Sequence, residues 1–287
     1  MSLLDNSLFL ACRECVKLYR IESWFYLLGL VLFGYFYSSS DINATELALI
    51  LISASCYLGY GYCLNEVFDR KGENGRIESY AISLKYGILC SFIILLPLFV
   101  CISLLSHNKN QIFIVFVLGI LSGYLYSAEP FRFKSRPFLD LIFNSLCFAN
   151  LFLFGAVCKS RINIEAFLLF IYFFVLFLPV QICHEISHSH SDQKNNIKNS
   201  LYYFGIKNVK QLLILNILIF FLYCLYLVFA ISLNKYFIYV TAIFCLALFI
   251  TAMHFNKSEL RNKLKNITRI LSMLYLLVSF AFIVKKA

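Results

Sequence analysis

The fold is decided by long uncharged stretches, of which residues 166–183 are the clearest: AFLLFIYFFVLFLPVQIC. Eighteen consecutive residues without a charge are enough for a helix that crosses the hydrocarbon core of a bilayer. A barrel strand is excluded, because barrel strands alternate apolar and polar residues. Backbone groups inside a bilayer must find partners within the chain, so this stretch predicts a membrane-spanning α-helix.

Similar long apolar stretches recur before and after this one along the 287 residues. We place nine of them near 23–40, 46–64, 86–106, 111–128, 138–158, 163–183, 211–233, 236–255 and 267–284. The composition agrees, since 14% of the residues are charged against about 25% in soluble domains. The sequence therefore predicts an all-α polytopic membrane bundle of about nine transmembrane helices, with residues 1–287 forming one domain.

Positive charge is concentrated on one side of this predicted bundle. With the N-terminus inside, nineteen of the 25 Lys and Arg residues fall on the inner side, which is the positive-inside pattern. This distribution accounts for the net charge of +10 without a nucleic-acid partner. We expect an integral multi-pass membrane protein whose N-terminus and active-site loops face the cytoplasm.

A first polar cluster ends the second predicted span. Asn65, Asp69 and Glu73 are spaced four residues apart, so a helix places them on one face. Oxygen ligands grouped in this way suit Mg²⁺, which usually bridges carboxylates to a phosphate-bearing substrate. The cluster predicts a magnesium site, and the simpler alternative is a solvated helix end neutralised by Arg70 and Lys71.

A second polar cluster follows the sixth predicted span, where Glu185, His188 and Asp192 share one helix face. These residues permit two interpretations besides a solvated helix end. They can form a second metal-binding group that faces the first cluster. His184, Glu185 and His188 also match the HExxH pattern, in which two histidines hold Zn²⁺ and the glutamate acts as a general base.

A basic segment joins the fourth and fifth predicted spans, with Arg132, Lys134 and Arg136 at alternate positions. Alternate side chains of an extended chain point the same way, so we expect all three cations to face one anion. Guanidinium and ammonium groups bind phosphate well. The segment predicts a clamp for a diphosphate held by metals on its other side, and an anchor at lipid headgroups is the alternative.

At these residues the sequence resembles the UbiA superfamily of intramembrane prenyltransferases. The family's first motif, Asn-Asp-x-x-Asp-x-x-x-Asp, corresponds to Asn65-Glu66-x-x-Asp69-x-x-x-Glu73. The family's Tyr-Ser-x-x-Pro-x-Arg-x-Lys segment corresponds to residues 126–134. The resemblance covers almost the whole chain, since the predicted nine-span topology also agrees with the family.

The family's second acidic motif corresponds to Glu185-x-x-His188-x-x-x-Asp192. The chain departs from the family pattern in four places, one of which is the Arg-Pro-rich stretch after the first motif, reduced here to Asn74-Gly75-Arg76. Glutamate replaces aspartate at positions 66 and 73, and His188 stands where many relatives have aspartate.

The resemblance implies a helical bundle around a central lipid-accessible cavity. It also implies transfer of an isoprenyl group from a polyprenyl diphosphate to an aromatic, quinone-precursor or other lipid-like acceptor. The implied Mg²⁺ ligands are Asn65, Asp69, Glu73, Glu185, His188 and Asp192. The implied catalytic residues are Asn65, Asp69 and Asp192. The implied diphosphate-binding residues are Tyr126, Arg132 and Lys134, with Arg20 and Arg136 as further candidates.

The expected partners are an isoprenyl diphosphate, a hydrophobic acceptor and the lipid bilayer, with no nucleic acid and no obligatory protein partner. Three alternatives stay open. The first is a membrane terpene cyclase that uses the same ionisation site. The second is an intramembrane zinc protease built on His184, Glu185 and His188. The third is a non-catalytic member that only binds prenyl lipids.

Overall fold

A computed structural model describes residues 19–38, 42–69, 91, 93–105, 108–159, 162–194, 197–253 and 260–284. Within these ranges the helices are α1 (Ile21–Ser38), α2 (Ala44–Asp69), α3 (Ile93–Leu104), α4 (Lys109–Ser127), α5 (Leu139–Lys159), α6 (Ile164–Lys194), α7 (Ser200–Ala230), α8 (Tyr236–Met253) and α9 (Leu260–Val284). A short 3₁₀ turn, Phe25–Leu27, interrupts α1 near its start. These residues contain no strand, so the all-α prediction is confirmed.

Six helices in the described part of the chain are long and apolar enough to cross a membrane: α1, α2, α4, α5, α6 and α7. Two shorter apolar helices, Ile93–Leu104 and Tyr236–Ile250, lie where the third and eighth spans were predicted. The ninth predicted span falls within α9. The chain is an integral multi-pass membrane protein, and the count of nine crossings stays a prediction.

The outer surface of the bundle is apolar. Leu118 on α4, Leu218 on α7 and Ile243 on α8 are each more than half exposed. An apolar surface of this extent is unfavourable in water and marks contact with another apolar phase. A lipid environment is therefore the solvent in which this arrangement of side chains is stable.

Helix α5 lies at the centre of the packing and contacts α1, α2, α4 and α6. Helix α6 continues the contacts to α7 and α9, and α9 returns to α1. Rings of Phe33, Phe152 and Phe173 meet in the middle, with centroids 5.0–6.1 Å apart. This packing sets the positions of the α5 and α6 ends, which carry polar residues.

Two glycines bring α1 and α5 into backbone contact. A Cβ added at Gly34 would lie 2.0 Å from the carbonyl oxygen of Phe152. A Cβ added at Gly155 would lie 1.9 Å from the carbonyl oxygen of Val31. Small residues permit this close approach of helices in a membrane, where packing rather than water exclusion drives helix association.

Replacing Gly155 with alanine is expected to destabilise the bundle by about 1–3 kcal/mol, because the new methyl group overlaps the α1 backbone. Thermal unfolding of the purified protein in detergent measures this. Gly29→Ala is the matched control, since a Cβ at Gly29 meets no atom within 4 Å. Equal unfolding midpoints for the two variants would contradict the backbone contact.

Candidate active site

The two acidic clusters and the basic segment lie at the same end of the bundle, which we call the motif end. There the backbone N–H of Phe138, just before α5, donates to Ser200 Oγ at the start of α7 (2.8 Å). Asn199 Nδ2 donates to Asp192 Oδ2 near the end of α6 (2.9 Å). The ends of α2 and α4 meet these elements through the basic segment.

The centre of the motif end is the ammonium group of Lys134, whose residue is only 8% exposed. Its Nζ donates to Asn65 Oδ1 at 2.9 Å and to the two carboxylate oxygens of Asp69 at 2.7 and 2.6 Å. Three oxygen atoms of α2 therefore converge on one positive charge. The helix face that carries Asn65 and Asp69 therefore surrounds a position suited to a cation, and the Lys134 ammonium occupies that position.

Arg132 adds a second positive charge to Asp69. Its guanidinium lies 3.4 Å from Asp69 Oδ1 and 3.9 Å from Glu129 Oε1. The backbone of Arg132 is left-handed (φ 37°, ψ 58°), which costs a non-glycine residue about 1–2 kcal/mol. Such strained conformations are often found at functional sites. Here the strained residue is one of the two cations that contact Asp69.

The prediction that the basic segment is extended is wrong, and Arg136 shows the consequence. Residues Phe133–Ser135 form a 3₁₀ turn, closed by a hydrogen bond from Ser135 N to Arg132 O (2.9 Å). The turn rotates Arg136 away, so that its guanidinium lies over the Phe133 ring and donates to Pro130 O. Arg132 and Lys134 contact Asp69, and Arg136 contacts neither Asn65 nor Asp69.

Asp192 connects the second cluster to the first. It lies close enough to Lys134 and Asp69 to interact with both charges. Partial burial raises the pKa of the Asp192 carboxyl to about 6; Asp69 adds to the rise, whereas Lys134 and the hydrogen bond from Asn199 oppose it. Asp192 therefore belongs to the same electrostatic site as the first cluster.

Glu185 lies deeper, on the same helix, and is 3% exposed. Gln181 Nε2 donates to its Oε1 (3.4 Å), one turn earlier on α6. Its Oε2 is buried and accepts no hydrogen bond from any residue in the described ranges. Its carboxyl group is in hydrogen-bonding contact with that of Asp140.

The two histidines of the HExxH pattern lie beside each other on α6, with ring centroids 4.3 Å apart. His184 is exposed and His188 is half-buried, with a buried Nε2 atom. The predicted sharing of one helix by Glu185, His188 and Asp192 is confirmed, because α6 continues to Lys194.

Asp140, which is 1% exposed at the start of α5, was not predicted from the sequence as a site residue. Its carboxylate accepts from Ser200 Oγ (2.6 Å), from the Ser200 N–H and from the Leu141 N–H (2.8 Å). An acidic residue in the first turn of a helix usually interacts favourably with the helix dipole and needs no functional explanation. The available signal was its place inside a predicted span, because ionisable residues there are usually functional.

Of the remaining predicted residues, the structure describes Tyr126 and Arg20. Tyr126, at the end of α4, interacts electrostatically with Glu185, Asp140 and Asp69. Arg20 pairs with Glu66 at 2.7 Å. Glu73 of the first motif lies outside the described residues.

The donor set at the motif end fits Mg²⁺, because hard oxygen atoms converge where the Lys134 ammonium now sits. Across the described residues, no three His, Cys, Asp or Glu side chains surround a common point. Mg²⁺ is commonly held by one or two carboxylates together with substrate phosphates rather than by a complete protein cage. The arrangement suits a cation that arrives with a phosphate ligand.

The family model described as the UbiA prenyltransferase family matches residues 27–278. No curated protein sequence matches the chain significantly.

Solved structures share the fold over nearly the whole chain. A UbiA homolog from Archaeoglobus fulgidus bound to GPP and Mg²⁺ is 19% identical, with a TM-score of 0.68 over 94% of this chain and 99% of that chain. A structure described for digeranylgeranylglyceryl phosphate synthase is 17% identical, with a TM-score of 0.72 over 96% of this chain and 99% of that chain. An apo UbiA homolog from Aeropyrum pernix K1 is 14% identical, with a TM-score of 0.68 over 91% of this chain and 98% of that chain.

Proposed function

The chain belongs to the UbiA prenyltransferase family, and on that premise we propose that it transfers an isoprenyl group from a polyprenyl diphosphate to a hydrophobic acceptor. The acceptor class is an aromatic, quinone-precursor or other lipid-like molecule. The observation that carries the proposal is the convergence of Asn65 and Asp69 on Lys134, with Arg132 beside them. Oxygen ligands for a cation and basic groups for an anion meet at one point.

The residues around that point divide into two groups. Lys134, Arg132 and the hydroxyl of Tyr126 bind the diphosphate, because ammonium, guanidinium and phenol groups donate to phosphate oxygens. The proposed Mg²⁺ ligands are Asn65, Asp69, Glu185, His188 and Asp192, with Glu73 completing the first motif. Mg²⁺ bound to these atoms supplies positive charge that stabilises the departing diphosphate. Two structural relatives are described as bound to Mg²⁺ together with GPP or DMAPP.

The reaction that this site supports is ionisation followed by capture. The bond between C1 of the prenyl chain and the diphosphate oxygen breaks, and its electron pair leaves with the diphosphate. Lys134 and Arg132 stabilise the charge that develops there, as positioned cations do in other transition states. The allylic cation is then attacked by the acceptor, which afterwards loses a proton.

Cyclisation of the prenyl chain is the second candidate reaction, because it uses the same ionisation step. In that case an internal double bond of the chain captures the cation, and no acceptor is consumed. The positive-inside distribution of Lys and Arg supports placing the motif end on the cytoplasmic side.

The test uses the full chain in nanodiscs with labelled dimethylallyl, geranyl, farnesyl and geranylgeranyl diphosphates. Diphosphate release and organic products are measured with and without Mg²⁺ and with and without aromatic acceptors. Mg²⁺-dependent release with an acceptor-derived product supports transfer, and a cyclic hydrocarbon without acceptor supports cyclisation. No release from any substrate, together with stoichiometric zinc in the protein, would replace both with the HExxH interpretation.

A further inference from the structure

The guanidinium of Arg136 is turned away from the first cluster and lies at the surface of the motif end. Arg136 is exposed, and its guanidinium carbon is 5.5 Å from the centre of the Phe133 ring. One of its N–H groups donates to Pro130 O at 3.3 Å. Because a guanidinium has five N–H donors, the side chain keeps donors for an anion. The function proposed above uses Lys134 and Arg132 and gives Arg136 no role.

A second exposed cation lies close to Arg136 in the fold. The Phe138 N–H donates to Ser200 Oγ at 2.8 Å, so the starts of α5 and α7 are adjacent. Arg136 comes two residues before Phe138, and Lys198 comes two residues before Ser200. Lys198 is exposed, and its ammonium lies 6.0 Å from the centre of the Tyr202 ring. Two exposed positive charges therefore flank the junction between these helix starts.

Aromatic rings are exposed at the same junction. Phe138 is 50% exposed and Tyr202 is 54% exposed. The backbone of Phe138 is left-handed (φ 65°), which is unfavourable for a bulky residue, and its ring packs against Phe204 with the centroids 4.8 Å apart. Exposed rings beside Lys and Arg are typical of the depth at which a bilayer meets water. The junction therefore lies at the level of the lipid headgroups.

We propose that Arg136, Phe138, Lys198 and Tyr202, which we call the headgroup patch, bind the headgroup of an anionic phospholipid. The guanidinium and the ammonium bind the phosphate, and the two rings contact the glycerol and the upper acyl chains. The patch contains two positive charges and no negative charge. It therefore favours a lipid with a net negative charge over a zwitterionic lipid.

The headgroup patch is separate from the proposed diphosphate site. Lys134 and Arg132 are directed at Asp69, whereas Arg136 is directed at Pro130. A lipid at the patch contacts the starts of both α5 and α7. Because such a lipid binds the folded chain, it is expected to stabilise the bundle.

The experiment measures the binding of short-chain phosphatidylglycerol and phosphatidylcholine to the full chain in a neutral detergent by native mass spectrometry. The wild type is expected to bind phosphatidylglycerol more tightly than phosphatidylcholine. The double variant Arg136→Gln with Lys198→Gln is expected to bind phosphatidylglycerol at least about tenfold more weakly, since each cation near a membrane surface contributes about fivefold. Both side chains are exposed, so the double variant is expected to fold.

The matched control is the double variant Lys109→Gln with Lys235→Gln. It removes the same charge from two exposed residues. Lys109 begins α4 at the end opposite to the basic segment, and Lys235 follows the end of α7 opposite to Ser200. This control is expected to bind phosphatidylglycerol like the wild type. Equal weakening in both double variants would overturn the proposal, because it indicates general charge attraction, and so would unchanged binding in the variant of Arg136 and Lys198.

Two further measurements identify where the lipid binds. Inorganic diphosphate is expected not to displace phosphatidylglycerol, and displacement would overturn the proposal by placing the lipid at Lys134. Phosphatidylglycerol is expected to raise the thermal unfolding midpoint of the wild type more than that of the variant of Arg136 and Lys198. Equal rises in the two proteins would contradict the patch. These measurements use no prenyl diphosphate, so their outcome is independent of the proposed transfer reaction.

Discussion

Replacing Asp69 with asparagine is expected to lower Mg²⁺-dependent diphosphate release by at least about 10²–10³-fold. Asp69 contacts Lys134 through both carboxylate oxygens and Arg132 through one of them. Asparagine keeps the size of the side chain but removes its charge and turns an N–H₂ group toward two cations. The measurement is the initial rate of diphosphate release over a Mg²⁺ series.

A matched control makes the same chemical change away from the site. Glu165 lies near the opposite end of α6, where its carboxylate accepts from the Tyr37 hydroxyl at 3.0 Å. Glu165→Gln retains an acceptor oxygen for that hydroxyl and is expected to leave the rate of release unchanged. A wild-type rate in Asp69→Asn would remove Asp69 from the proposed catalytic residues.

Replacing Lys134 with methionine is expected to weaken diphosphate binding and lower the rate of release, together by about 10²-fold or more. Methionine keeps most of the buried stem and removes the ammonium that three oxygen atoms surround. Lys134→Arg is not expected to restore the rate, because a planar guanidinium cannot place one atom at the point where these oxygens converge. Isothermal titration with inorganic diphosphate and a separate determination of kcat and KM measure the two effects.

The control for this change is Lys235→Met, in the connection between α7 and α8. The Lys235 ammonium lies 5.7 Å from the centre of the Tyr236 ring. It follows the end of α7 that is opposite to Ser200 and therefore opposite to the motif end. This variant is expected to bind diphosphate like the wild type. Unchanged binding in Lys134→Met would mean that the basic segment serves only as a structural tie to Asp69.

Much of the fold was predictable because a bilayer permits few backbone structures. An uncharged stretch such as residues 166–183 has to be helical there, and α6 contains it. The close contacts of Gly34 with the Phe152 carbonyl and of Gly155 with the Val31 carbonyl were not predictable, since a glycine in an apolar stretch does not reveal which helix it faces. Which two helices pack together depends on the shapes of side chains that are far apart in the sequence. The spacing of residues along one helix does not encode this pairing.

The candidate site also contains residues that were predictable from the sequence and residues that were not. Helical spacing placed Asn65 with Asp69, because that feature is local. Lys134 lies 65 residues from Asp69 along the chain, and only the resemblance of the basic segment to the family placed it near the first cluster. The expected direction of Arg136 was wrong, since a local 3₁₀ turn replaced the extended segment. Asp140 was missed because its partner Ser200 is sixty residues away in the chain, and only tertiary packing brings the two together.

The ion pair between Lys134 and Asp69 has a consequence for turnover. In the absence of ligands Lys134 already neutralises Asp69, so a diphosphate that leaves exposes no uncompensated charge behind it. Return of the lysine to the aspartate therefore competes with rebinding of the product. Under the proposed function, release of diphosphate, which limits many enzymes, would be assisted by the same residue that binds the diphosphate during the reaction.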